Sequence, residues 1–217
     1  MFLRSFLAAL LVTASLFGTG TQAQVLDAAP TRTIRTSKAE LVSLAISPKG
    51  DQLLVGLNKG AELYDLESGK RIHAFPFTED GGTAVYHVGF NENGEYVVLI
   101  GHSGKRTVWA VKTGKQEKVI SDHRWVPDPR AVKAMGLDMK NSNFDRFYQQ
   151  QEVKFADVTA RSGRHGIVEF LDADGKPKQK LEFPENKDQH HRSPLLVFDG
   201  QLLVGSDDGR VLFYTLP

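Results

Sequence analysis

The chain's 217 residues carry 27 lysines and arginines against 26 aspartates and glutamates, with no cysteine. Balanced charge argues against the broad basic footprint of a nucleic-acid binder and against strong attraction to anionic membranes, so neither partner is expected. The missing cysteines exclude disulfides, thiol catalysis and a cysteine-linked lipid anchor.

Residues 1–23 read as a secretory leader. Arg4 is their lone charge, residues 6–17 are mostly apolar but short for a bilayer span, and Thr21-Gln22-Ala23 offers small residues for cleavage. Cleavage after Ala23 would leave 24–217 as one β-rich domain with 26 charges of each sign and no integral membrane span. The alternative is a retained membrane anchor. An exported chain without disulfides fits a bacterial periplasm or exterior better than a eukaryotic one. Residues 27–30 read as a short tether.

A pattern of strand, Gly turn, strand, Gly turn, strand then recurs. In the first copy Leu53-Leu54-Val55 is an apolar run between turn residues, followed by Gly60, Tyr64-Asp65 and Ser68-Gly69-Lys70. The second copy runs from Val88 through Gly94, Val97-Val98-Leu99, Trp109 and Thr113-Gly114-Lys115. Gly50 and Gly94 stand 44 residues apart, and Gly69 and Gly114 stand 45 apart. Short runs bounded by turns predict strands covered on both faces, and this period is that of a propeller blade. The third copy is degraded. Gly166, Phe170 and Gly175 align with Gly60, Tyr64 and Gly69 at an offset of 106, with early strands expected over 131–137 and 152–159. In the fourth, Gln201-Leu202-Leu203-Val204-Gly205 repeats residues 52–56 at an offset of 149.

The expected fold class is therefore all-β: a small β-propeller of about four blades, at residues 37–80, 81–122, 123–185 and 190–217. First strands are predicted near 42–47, 86–91, 131–137 and 194–198. Tyr64, Trp109, Phe170 and Tyr214 would fill the gaps between blades. The chain ends after a third strand, and residues 31–36 alternate without a blade of their own. They are predicted to pair antiparallel with 211–216, completing the last blade and covering its edge. The alternative is an open arc completed by a second copy, which would make a homodimer.

Residues 46–50 resemble the opening strand and turn of WD-repeat and related bacterial propeller blades. Tyr64-Asp65 stands where the Trp-Asp dipeptide of that family would be, and Ser206-Asp207-Asp208-Gly209 resembles its turn between second and third strands. The resemblance spans nearly all of 24–217. It departs from the family where Ala110, Leu171 and Thr215 replace the Asp, and in lacking a Gly-His dipeptide before a first strand. The departures imply blades held by apolar packing rather than by a buried Asp–His network. Quinoprotein-like and lactonase-like propellers are the neighbouring alternatives.

Residues 121–164 interrupt the repeat. Long insertions on rigid scaffolds often carry function, and this one concentrates Trp125, Arg130, Arg146, Phe147 and Tyr148, residue types enriched at binding hot spots. These five are the candidate partner-binding residues; the alternative is that Phe144, Phe147 and Tyr148 fill a gap in the third blade. A short helix is expected within 141–151. The seven histidines show no ligand spacing, His190-His191 reads as a solvated loop, and Asp172-Ala173-Asp174-Gly175 reads as a hairpin turn rather than a calcium loop. No nucleophile elbow or phosphate loop is present, so no metal, cofactor or catalytic set is predicted. The expected function is a secreted or periplasmic scaffold binding a protein partner. The rival is an enzyme or cofactor-binding propeller with its site at the axial channel.

Overall fold

The computed structural model describes residues 25–37, 39–77, 85–101, 104–120, 149–182 and 193–217. Its strands form four antiparallel sheets of four strands each. Blade 1 is β2 (Leu41–Ile46), β3 (Gln52–Leu57), β4 (Gly60–Asp65) and β5 (Arg71–Pro76), and blade 2 is β6 (Val85–Phe90), β7 (Tyr96–Gly101), β8 (Arg106–Ala110) and β9 (Gln116–Ile120). Blade 3 is β10 (Glu152–Phe155), β11 (Val158–Ser162), β12 (Val168–Leu171) and β13 (Pro177–Leu181). Blade 4 combines β14 (Leu195–Phe198), β15 (Gln201–Gly205) and β16 (Arg210–Thr215) with the N-terminal strand β1 (Arg32–Arg35). This is the four-bladed, WD-repeat-like propeller architecture expected from the repeat.

The last blade is completed as predicted. β1 runs antiparallel to β16, with Arg32 opposite Phe213 and Arg35 opposite Arg210. Thr31 and Thr36 fasten the two ends of this strand by donating from their backbone N–H to the carbonyls of Phe213 and Gly209, each at 2.8 Å. Arg32 also reaches into blade 1. Its guanidinium lies 5.3 Å from the centre of the Phe213 ring and donates to the Leu66 carbonyl at 2.6 Å.

Further upstream, the side-chain amide of Gln179 on β13 accepts from the N–H groups of Val25 and Leu26 at 2.7 and 2.8 Å and donates to the Leu26 carbonyl at 2.8 Å. Leu26 is thereby sunk among the side chains shared by blades 3 and 4. The short tether expected at residues 27–30 thus begins from a fixed point.

Packing follows the alternation of each strand. Leu53, Val55 and Tyr64 on one face of blade 1 meet Leu203, Val211 and Phe213 of blade 4. Leu54, Ala61, Leu63 and Phe75 on its other face meet Val88, Val97, Leu99 and Trp109 of blade 2. Gly56 is required at that second contact, because a Cβ there would stand 2.9 Å from a Val88 methyl group and 3.2 Å from the Ser43 carbonyl. Blade 4 meets blade 3 through Leu202, Leu212 and Tyr214 against Ala160, Val168 and Phe170. The buried clusters therefore join the blades in the order 3, 4, 1, 2. Among the described residues none joins blade 2 to blade 3.

Blade 3 differs from its sequence reading. The expected strand over 152–159 is two strands, β10 and β11, turned at Ala156 and Asp157, with Ala156 at a φ of 44°. The strand expected over 131–137 falls outside the described residues. Phe170 faces blade 4, the following blade, as Leu63 faces blade 2, whereas Tyr64, Trp109 and Tyr214 each face the preceding blade. The structural equivalent of Tyr64 is thus Leu171, and Asp172 takes the place of Asp65. Asp65 accepts from the Ser68 N–H at 2.7 Å, and Asp172 accepts from those of Asp174 and Lys176 at 3.0 and 2.8 Å. The blade 3 turn is one residue shorter, so aligning its glycine with Gly69 displaced the strand by one. Of the helix expected within 141–151, residues 149–151 are described and form a 3-10 turn.

Candidate partner-binding site

The turns opening blades 1 and 2 are built by side chains. Ser47 accepts from the Gln52 N–H at 3.0 Å and donates to an Asp51 carboxylate oxygen at 2.7 Å. In blade 2, Asn91 accepts from the Tyr96 N–H at 2.9 Å, and Asn93 donates to Glu95 at 2.8 Å. Gly94, at a φ of 73°, lets the ring of Pro48 lie against it. Between these turns and the one at residues 110–113 opens a cleft of about 540 Å³.

Its chemistry is mixed. Lys49 and Lys112 line the cleft and make no ion pair among the described residues. The two carboxylates, Asp51 and Glu95, are each hydrogen-bonded within their own turn. Tyr96, 38% exposed, lies at the mouth and is among the few exposed large hydrophobics described. An exposed aromatic with free cations and polar backbone turns can hold a chain segment. The cleft's one hydroxyl–carboxylate contact, Ser47 to Asp51, belongs to the turn that Ser47 closes by accepting from the Gln52 N–H.

The expectation of purely apolar packing is corrected at Glu62. This carboxylate is 4% exposed and accepts from the Tyr64 hydroxyl at 2.6 Å, from Arg71 at 2.7 Å and from the Ser37 N–H at 3.2 Å. Burial alone would raise its pKa, but these donors outweigh burial and hold it below the ordinary 4.5. Burial and the neighbouring carboxylate push the Tyr64 hydroxyl far above its usual range. Because Ser37 follows β1, the network ties the N-terminal strand to blade 1. Trp109 makes the same two-residue reach, donating to the Thr107 hydroxyl at 2.9 Å. In blade 4 the corresponding residue is Leu212, and the buried Tyr214 hydroxyl has no hydrogen-bond partner among the described residues.

Trp125, Arg130, Arg146, Phe147 and Tyr148 lie outside the described residues. Of the 121–164 segment, the described part begins at residue 149, and the side chain of Gln150 is hydrogen-bonded to the backbone of Leu44 on the first strand of blade 1. Among the described residues no group of three His, Asp or Glu side chains is placed to hold a metal ion.

No family model matches the chain, and no curated protein matches it. It is similar to a chain of a mitotic checkpoint complex, at 16% identity and a TM-score of 0.40, over 98% of this chain and 59% of that one. It is similar to the WD40 repeats of RRP9 at 12% identity and a TM-score of 0.42, over 83% and 52% of the two chains. For U3-55K the values are 12% and 0.41, over 88% and 56%. The chain thus spans a little over half the length of each, and the fold assignment rests on its own sheets.

Proposed function

We propose that this chain is an exported protein-binding module, acting in a bacterial periplasm or outside the cell. The observation that carries the binding reading is the cleft between blades 1 and 2, where Tyr96 is exposed at the start of β7 and Lys49 and Lys112 make no ion pair among the described residues. A scaffold whose turns are already fixed loses little conformational freedom on binding. The leader-like residues 1–23 support export, and the aromatic and arginine content of residues 121–148 supports a second partner contact through Trp125, Arg130, Arg146, Phe147 and Tyr148.

The test is capture of envelope proteins by the full chain and its variants. Tyr96→Ala and Lys112→Glu are expected to weaken capture of a specific partner without lowering the melting temperature, and Trp125→Ala or Tyr148→Ala to do the same. A hot-spot side chain is worth about 2 kcal/mol, roughly thirtyfold in affinity. Absence of any partner specific to the wild-type chain would end this reading. Intact mass of the exported protein tests the leader, with Gln24 the expected first residue and a retained 1–23 favouring the anchor.

A further inference from the structure

Cross-strand register puts Tyr96, Val98, Ile100, Val108, Ala110 and Ile120 on the face of blade 2 turned away from blade 1. The equivalent positions elsewhere are sealed by the next blade: Leu54 and Leu63 in blade 1 are fully buried, as are Leu203 and Phe213 in blade 4. Val98 and Val108 are instead only partly covered. Blade 3, which follows in the chain, offers no match. Its outward face carries the cross-strand ion pairs Arg161–Glu152 at 2.9 Å and Lys180–Glu169 at 3.1 Å. Pressing those onto an apolar sheet would strip their water without compensation.

The face of blade 2 also has a sign. Arg106 and Lys118 are exposed on it, on the same side as Ile100, Val108 and Ile120. Neither makes an ion pair among the described residues, and no carboxylate holds a paired position on their face in β6–β9, Glu117 falling at the register shift between β8 and β9. Tyr96 joins this face to the cleft already described. We propose that the outward face of blade 2 is an interaction surface for a partner segment whose apolar side chains are flanked by carboxylates. Apolar residues would cover Val98, Ile100 and Val108, and carboxylates would meet Arg106 and Lys118. The proposal rests on the binding-module reading and gives the partner's chemistry.

The experiment places a photo-crosslinking amino acid at Val108 of the full chain in the exporting cell, with Ile72, exposed on blade 1, as the control position. Crosslinked segments are identified by mass spectrometry. The expected product is a foreign segment with clustered apolar residues and at least two Asp or Glu, formed from Val108 and not from Ile72. Its yield should fall at least tenfold in the Arg106→Glu, Lys118→Glu double variant, persist in Arg106→Lys, and leave the melting temperature unchanged. Products confined to residues 121–148 of the same chain would give the face to the chain itself. Products from a second copy would make it a self-interface. Either result, a segment lacking acids, no product, or a yield indifferent to charge reversal overturns the proposal. If Tyr96-dependent capture survives while the Val108 arm fails, this inference alone falls; if the wild-type chain captures nothing specific, the binding-module reading falls with it.

Discussion

The side-chain amide of Gln150 pairs with both backbone groups of Leu44, accepting from its N–H at 2.9 Å and donating to its carbonyl. One side chain thus does for the edge of β2 what a neighbouring strand would do. β2 pairs with β3 on its other side, so these Leu44 groups face the side without a strand, where an unpaired edge is a liability.

Replacing Gln150 by Ala should therefore destabilise blade 1, although Gln150 belongs to the run leading into blade 3. Loss of the pair leaves a donor and an acceptor without partners, at about 1–3 kcal/mol. Gln150→Glu keeps the acceptor but sets a carboxylate oxygen against the Leu44 carbonyl, so at neutral pH it should be no more stable than Ala. Urea unfolding followed by Trp fluorescence measures all three; identical midpoints would show that solvent satisfies this edge equally well.

Two buried tyrosines should respond oppositely to loss of a hydroxyl. Tyr64 donates to the Glu62 carboxylate, and bonds to charged groups are worth about 1.5–3 kcal/mol, so Tyr64→Phe should lower stability by that order. Tyr214 is 1% exposed, its hydroxyl has no partner among the described residues, and burial pushes its pKa up to about 12. Tyr214→Phe should be neutral or stabilising. Matched chemical denaturation of the two variants checks the contrast.

Glu62 predicts an acid-side loss of stability. Its folded pKa lies below 4.5, so the unfolded chain takes up this proton more readily. The stabilisation is complete above the unfolded value and disappears as pH falls through the folded one. Melting temperature should decline below about pH 4.5, and Glu62→Gln should be less stable at neutral pH with a shallower decline. Parallel curves for wild type and Gln would assign the acid sensitivity to other carboxylates.

Residues 25–36 should matter more than their length suggests. Leu26 is 3% exposed in the core of blades 3 and 4, so Leu26→Ala should cost about 2–3 kcal/mol, near the lower end for buried leucines. Deleting 24–36 removes β1 as well and should clearly lower both solubility and melting temperature. Scanning calorimetry of the two variants distinguishes the core pin from the strand.

The blades were legible because their turns are chemically marked: Gly50, Gly69, Gly94 and Gly114 all adopt positive φ, and their spacing survives sequence drift. Phe170 was misaligned because a turn glycine is a good marker only while the turn keeps its length. Glu62 was illegible because a carboxylate amid alternating residues reads as solvent-facing. The available hint was Tyr64 two positions on, on the same side of the strand, with Arg71 arriving on the next. The cleft could not be read at all, since its walls come from two turns some 45 residues apart and a third beyond them.

Blade 4 stands between blades 3 and 1 and is made from both ends of the described chain. Followed from residue 149 to 217 and then from 25 to 120, the sheets succeed one another in their spatial order without a jump. In connectivity, then, the described contacts follow a circularly permuted order, with the break in sequence falling inside blade 4, the second of the four. Strand β1 and strands β14–β16, from opposite ends of the described chain, share a blade that is packed on both faces, and residues 121–148 join blades 2 and 3 in sequence. A chain joined from residue 217 to residue 25 and opened within residues 121–148 would keep every interblade contact described, with blade 4 made from one uninterrupted stretch of sequence.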